Sequence, residues 1–169
     1  SQLVQDLRSR HTDIGAIGLT GQMHGIVYID GDGKSVSPLY TWQDGRGDQI
    51  VDPALVQAMS DDMPESDQSD QNKRPVALTY AGLLSRLSGF KLSTGYGTVT
   101  HFYNLHNNLT PASAVKICTI HDYIGMRLTG RKSPLIHSSD AASLGFFQDG
   151  RFDETALRQC GIDPVIFPE

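Results

Sequence analysis

The chain has 169 residues, which is enough to bury a core as one domain. Its formal net charge is −5, from 14 basic and 19 acidic residues. Nucleic-acid phosphates require a concentrated basic face, so we expect no nucleic-acid partner. No apolar run approaches the roughly 18 residues of a membrane span, and no signal peptide is recognisable. We therefore expect a cytoplasmic protein without a membrane partner, in which Cys118 and Cys160 are reduced and buried.

In chain order, the first half of the sequence predicts a helix at residues 2–10, a strand at 13–20, a strand pair at 25–30 and 36–40, a helix at 45–59 and a mobile loop at 60–74. The helices are predicted from apolar residues at helical spacing. Residues 13–20 form a mostly apolar run, which is typical of a strand buried on both faces of a parallel or mixed sheet. The turn Asp30–Gly33 joins the strand pair, and Pro53 is expected to break the second helix. The loop is rich in Asp, Ser and Gln, so burial cannot offset its ordering entropy.

The second half predicts helices at residues 77–87 and 98–107, a strand at 115–120, a helix at 123–128, a strand at 144–147 and a last helix that ends at Gln159. Three glycines follow predicted helices and are expected to end them: Gly89, Gly130 and Gly161. Asp122 and Asp153 are expected to cap the helices that follow them. Together these elements predict an α/β fold with a single domain over residues 1–169.

Two short motifs carry most of the functional information. The first is Gly-Gln-Met-His-Gly at residues 21–25, and the second is Trp-Gln-Asp-Gly-Arg at residues 42–46. Hydrogen-bonding side chains beside a flat aromatic wall suit a small polar ligand with an apolar face, such as a sugar. Spacing alone is equally compatible with a buried strand, an ordinary turn and a core tryptophan.

Together with the later blocks at residues 119–123 and 139–143, these motifs resemble those of the FGGY-family carbohydrate kinases, where they occur in the same order. Within that family the sequence is most similar to sedoheptulokinases, and then to xylulokinases. The resemblance covers most of the chain except roughly residues 52–92. It implies a ribonuclease-H-like lobe of the actin and hexokinase type, with a mixed sheet and flanking helices. The chain is then expected to be the sugar-binding part of the N-terminal lobe.

The resemblance also implies a reaction: transfer of a phosphoryl group from ATP, with Mg²⁺, to a primary hydroxyl of a ketose of the sedoheptulose or xylulose class. The family motifs Asp-x-Gly-Thr-Thr, which binds phosphate, and Gly-Gly-x-Asp-Asn, which holds the catalytic base, do not occur in the sequence. We therefore expect this chain alone to be inactive, to hold no cofactor or metal, and to require a missing second lobe. A non-catalytic sugar-binding or interaction module with the same half-fold is the alternative.

Seven residues are expected to bind the substrate: Gln22, Met23, His24, Trp42, Asp44, Arg46 and Tyr96. In an extended segment, Gln22 and His24 would point to one side and Met23 to the other. By resemblance, His24 would hydrogen-bond a sugar hydroxyl, Met23 would shape the pocket and Trp42 would pack on the sugar. Asp44 and Arg46 would support the site as a charge-assisted pair.

Other polar residues favour structural interpretations. His121 and Asp122 are adjacent, so their side chains are expected to point apart rather than to form a catalytic dyad. Asp140 is expected to serve in a turn or a cap. His101 and His106 lack a recognisable metal-ligand spacing.

Overall fold

The computed structural model describes residues 2–11, 13–59 and 78–169. Its helices and strands, in chain order, are α1 (Gln2–Arg10), β1 (Val27–Ile29), α2 (Pro53–Ala58), α3 (Tyr80–Ser88), α4 (Gly97–His106), β2 (Lys116–Cys118), α5 (Ile120–Thr129), α6 (Ser138–Leu144), β3 (Phe147–Gln148), β4 (Arg151–Phe152) and α7 (Glu154–Gln159). Short 3₁₀ helices lie at Gly45–Asp48 and Pro164–Ile166. The mobile loop predicted at residues 60–74 lies outside the described residues.

Both edges of β1 are paired. On one edge β1 is antiparallel to β2, with Tyr28 opposite Ile117. On the other edge Tyr28 accepts a backbone hydrogen bond from Val36, and Ile26 forms an isolated bridge with Tyr40. The predicted hairpin is therefore confirmed as bridges rather than as a continuous strand. A second pair, β3 and β4, is antiparallel and is closed by a turn at residues 149–150.

The main core lies between β1 and the helices α3, α4, α6 and α7. Its fully buried side chains include Ile26, Tyr28, Leu83, Leu84, Phe102, Leu144, Phe146 and Leu157. Removing such side chains from water is the main favourable contribution to the stability of the fold. Helix α3 is representative of how the elements are delimited. The Thr79 hydroxyl accepts from the Gly82 N–H at its start, and Gly89 ends it in the left-handed conformation, at φ 73°.

Most predicted helix ends are confirmed. Gly130 and Gly161 adopt positive φ after α5 and α7, and the Asp153 carboxylate accepts from the N–H of Ala156. The cap predicted at Asp122 was wrong. Helix α5 begins earlier, at Ile120, because the hydroxyl of Thr119 accepts from the Asp122 N–H and so caps the helix.

Two other element predictions were wrong. Residues 13–20 form no strand, and Ile14, Ile17 and Leu19 are 43%, 55% and 45% exposed. This segment pairs with none of the described strands, and both edges of β1 are already occupied. The strand at 144–147 starts only at Phe147, because residues 138–144 are helical. The break expected at Pro53 is confirmed, since the 3₁₀ helix at Gly45–Asp48 is followed by a new helix that Asp52 caps and that starts at Pro53.

The described residues therefore combine helices with two small antiparallel sheets. This agrees with the α/β class, whereas the ribonuclease-H-like lobe with one mixed sheet stays a prediction. In the described part of the chain, no helix is both long enough and apolar enough to cross a bilayer.

Candidate functional site

Three chain segments meet at close-packed glycines. A Cβ on Gly25 would lie 2.5 Å from the carbonyl oxygen of Tyr40, and one on Gly95 would lie 2.2 Å from that of Trp42. A Cβ on Gly97 would lie 2.9 Å from the carbonyl oxygen of His24. These backbones can approach so closely only because no side chain stands between them. We call this region the glycine junction (residues 24–25, 40–42 and 95–97). It brings the two sequence motifs into one place.

His24 is fixed by Ser143 of helix α6. The His24 N–H donates to the Ser143 hydroxyl at 3.2 Å, and the ring Nδ1 lies 2.6 Å from the Ser143 carbonyl oxygen. A carbonyl only accepts, so Nδ1 carries the proton and Nε2 is left as a hydrogen-bond acceptor. The backbone of His24 has φ 71° and is therefore not extended. The predicted alternation of Gln22, Met23 and His24 across a strand was wrong for this reason.

Two aromatic side chains and a methionine lie at the junction. The ring of Tyr96, the residue that precedes α4, is 4.7 Å from the ring of His24, centroid to centroid. The side chains of Met23 and Trp42 are large and apolar, yet they are 50% and 53% exposed. Gln22 is exposed. The junction thus presents an imidazole acceptor together with two apolar surfaces that are open to solvent.

Asp44 and Arg46 position one another. One oxygen of Asp44, Oδ1, accepts from the backbone N–H of Arg46 at 3.1 Å and from its Nε at 2.8 Å. The guanidinium lies over the ring of Tyr40, 4.4 Å from its centroid, and 5.5 Å from that of Tyr103. Charge-assisted bonds and stacking of this kind hold a planar guanidinium in one orientation. The pair therefore stabilises the segment that carries Trp42.

A buried polar chain, which the sequence analysis missed, continues inward from Arg46. Arg46 Nη1 donates to Asn104 Oδ1, Asn104 Nδ2 donates to the Tyr28 hydroxyl at 3.2 Å, and that hydroxyl lies 2.8 Å from His101 Nδ1. Arginine can only donate, so the direction of the whole chain is set at its outer end. The available signal was the three-residue spacing of His101 and Asn104, which puts both on the buried side of α4.

Burial keeps the inner end of this chain neutral. Desolvation, with a smaller effect of His106, lowers the pKa of His101 to about 4. Desolvation also raises the pKa of Tyr28 to about 12, although its hydrogen bond with Asn104 opposes the shift. Neither group therefore carries charge near neutral pH.

A second polar group lies beside Gly21. His121 Nε2 is 3.0 Å from Asp140 Oδ2, and a Cβ on Gly21 would lie 2.9 Å from His121 Nδ1. Donor atoms of His121, Asp122 and Asp140 all lie within 4.8 Å of one another. His121 and Asp122 are neighbours in the first turn of α5, and the expectation that their side chains point apart stays a prediction. Asp140 lies in the first turn of α6, whose N-cap is His137, and its carboxylate faces His121. Its interpretation as a turn or cap residue was therefore wrong.

Two surface cavities lie away from the junction. One, of about 660 Å³, lies between the β3–β4 hairpin and the final residues of the chain. The other, of about 870 Å³, is a mostly apolar groove between α1, residues 14–19 and α5. Neither is lined by the predicted sugar-binding residues, so their convergence on one hollow stays a prediction.

Comparison with known proteins identifies the chain's relatives. Over 156 residues it is 26% identical to the sedoheptulokinase of Homo sapiens, a match that covers 90% of this chain and 30% of that protein. Over 161 residues it is 27% identical to the xylulose kinase of Staphylococcus xylosus, covering 94% of this chain and 29% of that one. This chain is similar to carbohydrate kinases. The resemblance to the FGGY family is therefore confirmed, although no family model matches the sequence.

The fold agrees with this relationship. A ligand-bound xylulose kinase from Lactobacillus acidophilus superposes with a TM-score of 0.65 at 19% identity, covering 99% of this chain and 30% of that structure. The chain thus spans about 30% of the length of the human and bacterial relatives that it matches.

Proposed function

We propose that this chain is the sugar-orienting part of an ATP-dependent kinase that phosphorylates a ketose of the sedoheptulose or xylulose class at a primary hydroxyl. The similarity to a sedoheptulokinase and to a xylulose kinase over 90% or more of the chain supports the class of reaction. The observation that carries the role of this chain is the glycine junction. It combines a hydrogen-bond acceptor with exposed apolar side chains, which is the combination that a sugar requires.

Six of the seven predicted sugar-binding residues have a role in this proposal. His24 Nε2 accepts a hydrogen bond from a sugar hydroxyl, since Nδ1 is already committed to Ser143. Trp42 and Met23 cover the apolar face of the sugar. Tyr96 contacts the imidazole of His24 and restricts its rotation. Asp44 and Arg46 act indirectly, by holding the segment on which Trp42 lies.

The nucleotide is assigned to other parts of a longer protein. The sequence contains no Asp-x-Gly-Thr-Thr loop and no Gly-Gly-x-Asp-Asn segment, so its residues do not fit ATP and its Mg²⁺. In this proposal no residue of this chain transfers the phosphoryl group. Its contribution is to bind and orient the acceptor hydroxyl, and in phosphoryl transfer such positioning accounts for a large part of the rate.

Calorimetric titration of the 169-residue chain tests the proposal. Sedoheptulose or xylulose should bind, and ATP should not. His24→Phe keeps an aromatic ring but removes the acceptor, and Trp42→Ala removes the apolar wall. Each should weaken sugar binding by about tenfold, the value of one hydrogen bond or one stacked ring. His11→Phe, at the end of α1, is the matched control and should bind like the parent. Sugar binding that survives both substitutions would refute the assignment of the site.

An assay of coupled ADP release separates the kinase from the alternative module. The 169-residue chain should release no ADP in the presence of ketose and ATP. A longer protein that contains this chain should release ADP only when ketose is added. A longer protein that binds ketose but never releases ADP would instead be a non-catalytic sugar-binding module.

A further inference from the structure

The three-residue cluster of His121, Asp122 and Asp140 lies outside the sugar site and has the donor atoms of a metal centre. We propose that it binds one divalent transition-metal ion of the zinc or cobalt type through one imidazole nitrogen and two carboxylate oxygens. The three donor atoms lie within 4.8 Å of one another. Ions of this type bind such ligands tetrahedrally at about 2.0–2.2 Å, which places any two donor atoms about 3.4 Å apart. Adjustment of the side chains by less than about 1 Å would bring all three into range.

The donor set favours this class of ion. An imidazole nitrogen suits zinc and its neighbours, whereas Mg²⁺ and Ca²⁺ prefer oxygen ligands only. Three protein ligands would leave a coordination position for water. The ion is thus distinct from the Mg²⁺ that accompanies ATP.

The electrostatics of the cluster also favour a cation. Asp122 and Asp140 bring two formal negative charges to a partly closed site, where their side chains lie beside His121. The N-terminus of α5 contributes only about half a positive charge, which does not neutralise them. The carboxylate oxygens of Asp122 and Asp140 lie within 4.8 Å of one another, so their negative charges repel. A bound cation would supply the missing compensation.

The ligands are already held by the fold. His121 and Asp140 side chains are only 13% and 22% exposed. The Thr119 hydroxyl donates to Asp122 Oδ2 at 2.5 Å, which fixes that carboxylate at the start of α5. Hydrogen bonds of this kind orient metal ligands and contribute to affinity. The nitrogen of His121 that faces Asp140 is Nε2, so it is the ligand atom in this proposal. Among the described residues, the buried Nδ1 beside Gly21 has no hydrogen-bond partner.

Binding at this cluster would connect helices α5 and α6. Helix α6 also carries Ser143, which holds His24 through two hydrogen bonds. The ion would therefore restrict the motion of α6, and through Ser143 that of His24, without contacting the sugar. The proposal does not depend on sugar binding and can be tested without any sugar present.

Calorimetry with Zn²⁺ and absorption spectroscopy with Co²⁺, on the metal-free chain, test the proposal. We expect one ion per chain and visible Co²⁺ bands without the near-ultraviolet charge-transfer band that a thiolate ligand gives. Asp140→Asn and His121→Gln should each weaken Zn²⁺ binding by at least about tenfold. Glu154→Gln, an exposed carboxylate of α7, should leave it unchanged. Circular dichroism verifies that each variant is folded, and Asp122→Asn replaces any that is not.

The outcomes separate clearly. Absence of binding to the folded parent, or equal affinity in the parent and the folded ligand variants, would overturn the proposal. A thiolate band that disappears in Cys118→Ala would also overturn it, because the ion would then be bound elsewhere. Loss of Zn²⁺ affinity in folded His121→Gln and Asp140→Asn, with the affinity of Glu154→Gln unchanged, would support it.

Discussion

Residues 14–19 and residues 26–29 are both short apolar runs, but they have opposite fates. Ile26 and Ile29 are fully buried, whereas Ile17 is 55% exposed. The difference lies in their neighbours. Residues 26–29 pair with β2 on one edge and with residues 35–40 on the other, so their backbone polar groups are satisfied and their side chains enter the core. Apolar composition therefore predicts burial only where partner strands are present.

Truncating one isoleucine in each run tests whether the two runs differ in burial as described. Ile26→Ala should lower the free energy of unfolding by about 2–5 kcal/mol, because it leaves a cavity in a packed core. Ile17→Ala should change it by less than about 0.5 kcal/mol, because the side chain is largely in water already. Urea unfolding followed by circular dichroism measures both. Similar losses for the two variants would mean that residues 14–19 are buried in solution.

Lowering the pH should destabilise the fold through His101, which is buried in the main core region. The pKa of His101 is about 4 in the folded chain and about 6.5 when unfolded. Between these two pH values His101 is protonated in the unfolded state and neutral in the folded state. Stability should therefore fall as the pH decreases from 6.5 to 4, by up to about 3 kcal/mol.

Comparison with His101→Gln isolates this effect. Glutamine can still accept from the Tyr28 hydroxyl but cannot titrate. The difference between the two stability curves should grow as the pH falls from 6.5 and level off below pH 4. The lowered pKa of His106 adds an effect of the same sign to both curves, and the raised pKa of Asp122 adds one of opposite sign. Parallel curves for parent and variant would show that His101 is not desolvated.

The buried and the exposed apolar runs should also differ in how they respond when a glycine beside or within them is replaced by alanine. Gly25→Ala would bring a Cβ within 2.5 Å of the Tyr40 carbonyl oxygen, which cannot move freely. We expect a loss of about 1–3 kcal/mol, and weaker sugar binding, because the junction must open. Gly18→Ala, in the exposed run, meets nothing within 4 Å. It should be neutral or stabilise the chain by less than about 1 kcal/mol, since alanine restricts the unfolded state. Thermal unfolding decides, and equal melting temperatures for the two variants would refute the close packing.

Local signals in the sequence predicted local structure well. Helix stops at Gly89, Gly130 and Gly161 depend on a conformation that glycine adopts easily, and the cap at Asp153 depends on a side chain within three residues. The same logic failed at Asp122, because Thr119 competes for the same role and its hydroxyl is better placed. A choice between two neighbouring caps depends on where the preceding strand ends, which the sequence leaves open.

Predictions that depended on distant residues were less successful. The motif residues were found, but the left-handed backbone of His24 is imposed by Ser143, more than a hundred residues away in the chain. The chain from Arg46 to His101 likewise joins three separate segments, and no spacing within one segment reveals it. Whether the predicted sugar-binding residues act together stays a prediction that the titrations above address.

A charged side chain introduced into the exposed residues 14–19 should have the smallest effect on stability. It should, however, change the tendency of the chain to self-associate. Ile17 belongs to the apolar groove between α1, residues 14–19 and α5, and exposed apolar patches of this kind promote association. The 169-residue chain should therefore self-associate as its concentration rises. Ile17→Lys should weaken this association while changing the free energy of unfolding by less than about 0.5 kcal/mol. Ile50→Lys is a matched control, because Ile50 is 58% exposed but lies outside the groove. Sedimentation velocity at several concentrations measures the effect. A parent chain that stays monomeric at every concentration would contradict this prediction, because it would show that the exposed apolar residues 14–19 do not cause self-association.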